Sequence, residues 1–279
     1  MTRQQSSLDA SDSTIEAIDK MVERINRFKI DPQFTQQMED RRRKAPNFAL
    51  SDSEILRHLM ILVAYSNNAN SEKVTHLVEG PAFESIFQKY FVQKTSELTA
   101  ERIIADCWHD LTAIRFKKKI DAWVRCAKSL PSIQTRYGSF MRYLSSTGLP
   151  NSIKSADDIE VFWESFNRIR AYFLELELPY FGNFTTLCHL LMHLGFDCAK
   201  PDIIVMRAAV DLGVVPLPPK KKNSEKRRAH PEQSLAQTVR TIQGYAVGRN
   251  TRAPVIDLYF LIHGGQADSK GLVAAAYCS

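Results

Sequence analysis

No segment of this 279-residue chain alternates apolar and polar residues as a half-buried strand would, which excludes a sheet as its organising element. No apolar run approaches the roughly 20 residues that a membrane-spanning helix needs. The polar opening MTRQQSSLDASDS lacks the apolar stretch of a signal peptide. These absences lead us to expect a cytoplasmic chain with no membrane partner. The five cysteines, Cys107, Cys126, Cys188, Cys198 and Cys278, are scattered and form no CxxC pair. That spacing argues against zinc-ribbon or thioredoxin-like chemistry and fits buried free thiols in a reducing compartment. His189 and His193 stand four apart, with no glutamate next to His189 of the kind HExxH requires, in an apolar segment. No metal ion and no other cofactor is expected.

What is present is an ordinary supply of core residues, 44% hydrophobic against 24% charged, enough for one large domain or two small lobes. Lys and Arg number 37 against 31 Asp and Glu, a net charge of +6 that suits a nucleic-acid partner without requiring one. Residues 1–12 read as a disordered tail. Ser13-Thr14-Ile15-Glu16 has capping-box form ahead of an apolar stripe at Ile15, Ile18, Val22 and Ile25, which predicts a helix to about Phe28. Arg41-Arg42-Arg43-Lys44 with Pro46 reads as a solvated basic connector. From Ser51 helical spacing continues over 52–65, 71–78, 81–90, 99–107 and 112–129, and two further helices are expected from Glu232 to about Val247 and from Pro254 to His263. The segment 216–231, with Lys220, Lys221 and Lys222 and then Lys226, Arg227 and Arg228, is either a solvated insertion or a phosphate-contacting loop.

The most informative stretch is 178–207, LPYFGNFTTLCHLLMHLGFDCAKPDIIVMR. Pro179 stops one helix, Gly182 allows a tight turn, and Thr185 and Thr186 open the next. Backbone N–H groups at such a helix start can hold a phosphate without a side chain. After Gly195 the chain loops to Pro201-Asp202, which places a carboxylate at the start of a helix over 203–210.

Leu178, Pro179, Gly182 and Thr185 match the L-P-x-x-G-x-x-T hairpin, and Asp202, Val205 and Arg207 the D-x-x-V-x-R segment, of the helix-hairpin-helix (HhH-GPD) DNA glycosylase superfamily, which this arrangement resembles. The hairpin position that is Lys in bifunctional members is Phe184, 18 residues before Asp202, the spacing of the superfamily. Ser66-Asn67-Asn68 with Val74 is similar to its S-Q-Q-T loop, with Asn67 and Asn68 where the family has Gln. Tyr137-Gly138-Ser139-Phe140 through Leu144, and Phe181-Gly182, resemble segments of the 3-methyladenine DNA glycosylase I family, whose structural zinc needs Cys or His near the N-terminus. The first 50 residues here have neither, and Asp202 is a residue that family lacks.

The resemblance implies an all-α, two-lobed helical bundle with an interlobe cleft: 51–200 as one lobe, 13–50 and 201–279 as the other. It implies a monomeric, monofunctional enzyme that excises a damaged or modified base from double-stranded DNA, located with the nucleoid. Asp202 would be catalytic. Asn67, Asn68, Phe181, Gly182, Asn183, Phe184, Thr185, Arg207, Lys220, Lys221 and Lys222 would contact DNA. Tyr65, Trp108, Trp163 and Tyr180 could stack on the base, although aromatics on helices are more often core. The alternative is a non-catalytic helix-hairpin-helix DNA-binding protein, which would need no acid at 202.

Overall fold

The computed structural model describes residues 11–27, 32–66, 69–222 and 228–265. Among them all regular structure is helical, with no β-strand, as the spacing predicts. None of these helices is long and apolar enough to cross a membrane. The chain divides into two compact units. One combines the described residues up to Pro46, Pro150–Phe162, and those from Leu194 onward; the other takes Asn47–Leu149 and Trp163–His193. The sequence pattern runs one bundle through 51–200 because nothing local marks 150–162 as packing with the chain ends.

The second unit is built on the Lys118–Tyr137 helix. Trp123 is fully buried there, donates its indole N–H to the Met60 carbonyl at 2.8 Å, and meets Phe83 and Phe87 edge-on at 5.1 and 5.0 Å. Buried Asp52 accepts from Gln134 Nε2 at 2.7 Å and from the Phe140 amide at 2.8 Å, so one carboxylate holds the start of a neighbouring helix. Ser51 and Glu54 form the reciprocal capping box of the Asp52–Ala64 helix. The helix expected over 112–129 instead begins at Lys118, after a short 3-10 turn at Thr112–Ile114, and continues through Pro131. Leu130 and Ile133 extend its buried face past the proline, and that burial outweighs the lost backbone donor.

In the first unit the Asp12–Arg27 helix buries Thr14, Ile18, Met21 and Ile25. Its start differs from the sequence reading: Ser11 Oγ, rather than Ser13, accepts from the Thr14 amide, at 3.3 Å. The Ala253–Gly264 helix is buried on nearly every face. It lies so close to the Ile203–Asp211 helix that a Cβ on Gly264 would stand 2.0 Å from the Ile204 carbonyl oxygen, so only glycine fits. The basic connector is a second correction. Arg41, Arg42 and Arg43 are the last turn of a Pro32–Arg43 helix, and Arg41 donates to buried Asp257 and to the Pro254 carbonyl, each at 2.8 Å. A partner 216 residues away is invisible to a local reading.

Candidate DNA-contacting hairpin and carboxylate

The Ala156–Glu175 and Phe184–His193 helices flank the hairpin. The Leu178 amide donates back to the Phe173 carbonyl at 2.9 Å, and the Asn183 amide closes the turn on the Tyr180 carbonyl at 3.0 Å. Positive φ falls on Tyr180 (70°) and Glu177 (49°), not on Gly182. Gly182 leaves room for a neighbour instead: a Cβ would come within 2.5 Å of Leu174 Cδ2, which would have to move aside. Its carbonyl accepts from Arg170 Nε at 2.9 Å.

Asn183 is the cap of the second helix, its Oδ1 accepting from the Thr185 and Thr186 amides at 3.1 and 3.4 Å. The expectation that the helix-start amides face outward is therefore corrected for these two. Phe184 is buried, stacked on Trp163 with centroids 5.7 Å apart and planes at 16°, and tilted against Phe166 at 5.1 Å. Phe181 is fully buried as well. Both phenylalanine rings are therefore part of the core, and so is the Trp163 ring.

The remaining aromatic candidates are half-buried. Tyr65 bonds Thr75 Oγ1 at 2.6 Å, Trp108 has the Lys117 ammonium 5.3 Å from its ring centre, and Tyr180 carries the strained turn. None of the four lines the apolar cavity of about 300 Å³ in the first unit, formed by Ile15, Ile159, Tyr245, Val247 and Arg249 among others. His193 Nε2 lies 3.1 Å from His58 Nδ1, so the His189 and His193 pair is read differently: His193 turns to a third histidine. Among the described residues no group of three or more His, Cys, Asp or Glu is placed to hold a metal ion. Cys126, Cys188 and Cys198 are buried free thiols and Cys107 is partly so.

In the first unit Asp202 stands at the N-cap of the Ile203–Asp211 helix. Its Oδ1 accepts from the Ile204 and Val205 amides at 2.9 and 3.2 Å, and its Oδ2 faces Lys200 Nζ at 3.3 Å. The side chain keeps 24% of its surface exposed. The turn leading to it is pinned from behind, because the Lys200 amide donates to Asp257 Oδ1 at 2.8 Å and the Asp202 amide to the Lys200 carbonyl at 2.7 Å. Burial pushes the Asp257 carboxyl up, while Arg41 and the Lys200 amide pull it down. Arg207 donates to the Gly264 carbonyl at 2.8 Å, so this guanidinium braces a helix end rather than standing ready for DNA alone.

Lys220, Lys221 and Lys222 are exposed, on a loop whose stem is closed by the Arg228 amide on the Pro219 carbonyl at 2.9 Å; residues 223–227 lie outside the described set. Asn67 and Asn68 also lie outside it. Just before them is a feature the sequence reading missed. Lys119 is fully buried and donates to the Ala64 and Ser66 carbonyls, each at 2.7 Å. Its place in the run Lys117-Lys118-Lys119 disguises it as a solvated charge.

No protein-family model matches the chain. No curated protein matches it either. Among solved structures, a point variant of 3-methyladenine DNA glycosylase I in complex with 3-methyladenine is similar to it, with a TM-score of 0.43 and 20% identity, over 60% of this chain and 88% of that one.

Proposed function

We propose that this chain is a monofunctional DNA glycosylase, which extrudes a damaged or modified nucleotide from double-stranded DNA and hydrolyses its N-glycosidic bond. The observation that carries the reading is Asp202. It keeps the 18-residue register with the hairpin, and its two oxygens divide, one fixed by helix-start amides and the other facing the Lys200 ammonium. Cleavage of an N-glycosidic bond builds positive charge on the sugar, and a fixed carboxylate near C1′ stabilises that oxocarbenium ion and orients the attacking water. The base must leave the stack to be reached.

In this reading the amides of Gly182 and Phe184, which Asn183 does not take up, serve a backbone phosphate, and Asn67 and Asn68 help fill the space the base leaves. Phe184 has no amine, so no Schiff base forms from that position and the strand stays uncut. The substrates that fit are alkylated purines, other damaged bases, or a modified base of invading DNA such as a glucosylated hydroxymethylcytosine, and the working place is the nucleoid.

Asp202→Asn tests the assignment. The amide oxygen can accept from the same two backbone N–H groups, so folding and DNA binding should survive. Removing one transition-state electrostatic partner costs on the order of 10²–10³ in rate. Bases released from damaged, cellular and phage DNA, identified by mass spectrometry, should therefore nearly vanish with the variant. The cap geometry favours a second reading, a non-catalytic helix-hairpin-helix DNA-binding protein in which Asp202 only starts a helix. Duplex binding without base release by the wild type would establish that reading instead.

A further inference from the structure

We infer that Lys200 is an exchangeable counter-ion of Asp202: in the free protein its ammonium holds the open carboxylate oxygen, and on DNA it moves to a backbone phosphodiester and leaves that oxygen to face the sugar. The inference rests on the glycosylase reading of Asp202 and adds a further DNA-contacting group to it.

The main chain on both sides of the pair is fixed. The Lys200 amide is held by Asp257, which is 2% exposed and is itself held by Arg41 at 2.8 Å. Pro201 is buried and limits φ between the two residues. The Asp202 amide bonds the Lys200 carbonyl at 2.7 Å, and its Oδ1 is saturated by two amides. Only the Lys200 side chain is left to move. Its contact with Oδ2, at 3.3 Å, is longer than the roughly 2.7–2.9 Å of a strong charge-assisted bond. With 31% of the lysine side chain and 24% of the aspartate exposed, water already competes for both.

Chemistry supplies the reason to exchange. An ammonium left on Oδ2 would neutralise the charge that must stabilise the oxocarbenium ion, and would place two positive groups together. A phosphodiester flanking the extruded nucleotide lies one sugar away from C1′, within the sweep of a lysine side chain about a fixed Cα. Moving there, Lys200 gains a permanently charged partner and releases a condensed counterion.

The test is a double-mutant cycle on binding, using a duplex with a tetrahydrofuran abasic-site analogue, so that no cognate base is needed. Wild type, Lys200→Met, Asp202→Asn and the double variant are titrated by fluorescence anisotropy, with melting curves to confirm folding. If the pair breaks on binding, Asp202→Asn should tighten the duplex roughly two- to fivefold more when Lys200 is present than when Met replaces it. Lys200→Met should also lower the slope of log K against log salt by about one, and Lys200→Arg should restore it. Equal effects of Asp202→Asn in both backgrounds would mean the pair persists on DNA, and an unchanged salt slope would mean no phosphate contact. Either result overturns the exchange while leaving the glycosylase reading standing. A folded wild type that binds no duplex overturns both.

Discussion

At the scale of single residues, Lys119 shows a charge whose partners are carbonyls rather than carboxylates. The Asp52–Ala64 helix ends where Lys119 meets the Ala64 and Ser66 oxygens, and a cation at a helix C-terminus is favourable. Burial, with Arg115 and Lys118 nearby, nonetheless lowers its pKa to about 8 from 10.5. Between those values the unfolded chain holds the proton and the folded chain has released it, so Lys119 makes stability rise with pH across that window. Urea unfolding at pH 8 and at pH 9.5 should give a larger rise in unfolding free energy for wild type than for Lys119→Met. Parallel changes in the two proteins would show that Lys119 titrates as an ordinary lysine. The buried acids work in the opposite sense. Desolvation raises Asp197 and Asp257 despite their bonds to Arg252 and Arg41, so their ionisation costs stability as pH climbs above the ordinary carboxylate value.

Among the elements, the hairpin separates what local sequence can specify from what packing decides. Gly182 has no positive φ to justify it, and the atom a Cβ would meet belongs to Leu174, a side chain 59% exposed and free to turn toward solvent. Gly182→Ala should therefore fold, at a cost of about 1 kcal/mol for the displaced leucine. If the Gly182 amide approaches a phosphate, the same methyl crowds the ligand, and duplex affinity should drop far more than the melting temperature suggests. Unchanged affinity in a folded variant would remove the hairpin from the DNA interface. The hairpin and the Asp202 helix start were legible because each is encoded within eight residues: a proline stop, a glycine turn and a capping residue leave a local signature. The roles of Phe184 and Trp163 were not, since their 16° stack joins positions on two helices. Arg41 looks like part of a solvated loop for the same reason, its carboxylate partner lying in the Ala253–Gly264 helix. Arg207 stands at its motif position but braces the Gly264 carbonyl, a contact no spacing rule contains.

For the whole molecule, the glycosylase reading proposed above makes charge rather than shape set the first encounter with DNA. The excess of six positive charges is modest, so affinity should depend on where cations are concentrated. Lys220, Lys221 and Lys222 are consecutive and exposed, on the unit that carries Asp202. Three side chains in a row cannot all point the same way, but a loop closed at Pro219 and Arg228 presents them at one place on the surface. Each lysine that neutralises a phosphate contributes about 0.9 to the slope of log K against log salt, so replacing all three by Ala should flatten it by up to about 3. All three side chains are exposed, and the melting temperature should hold. The same variant should lose affinity equally on duplexes of unrelated sequence, because phosphates carry no sequence information. A slope equal to that of wild type would place this loop away from the nucleic acid and leave DNA binding to the hairpin and the Lys200–Asp202 turn. Loss of affinity on one sequence alone would mean that the lysines reach base edges, which the electrostatic account does not allow.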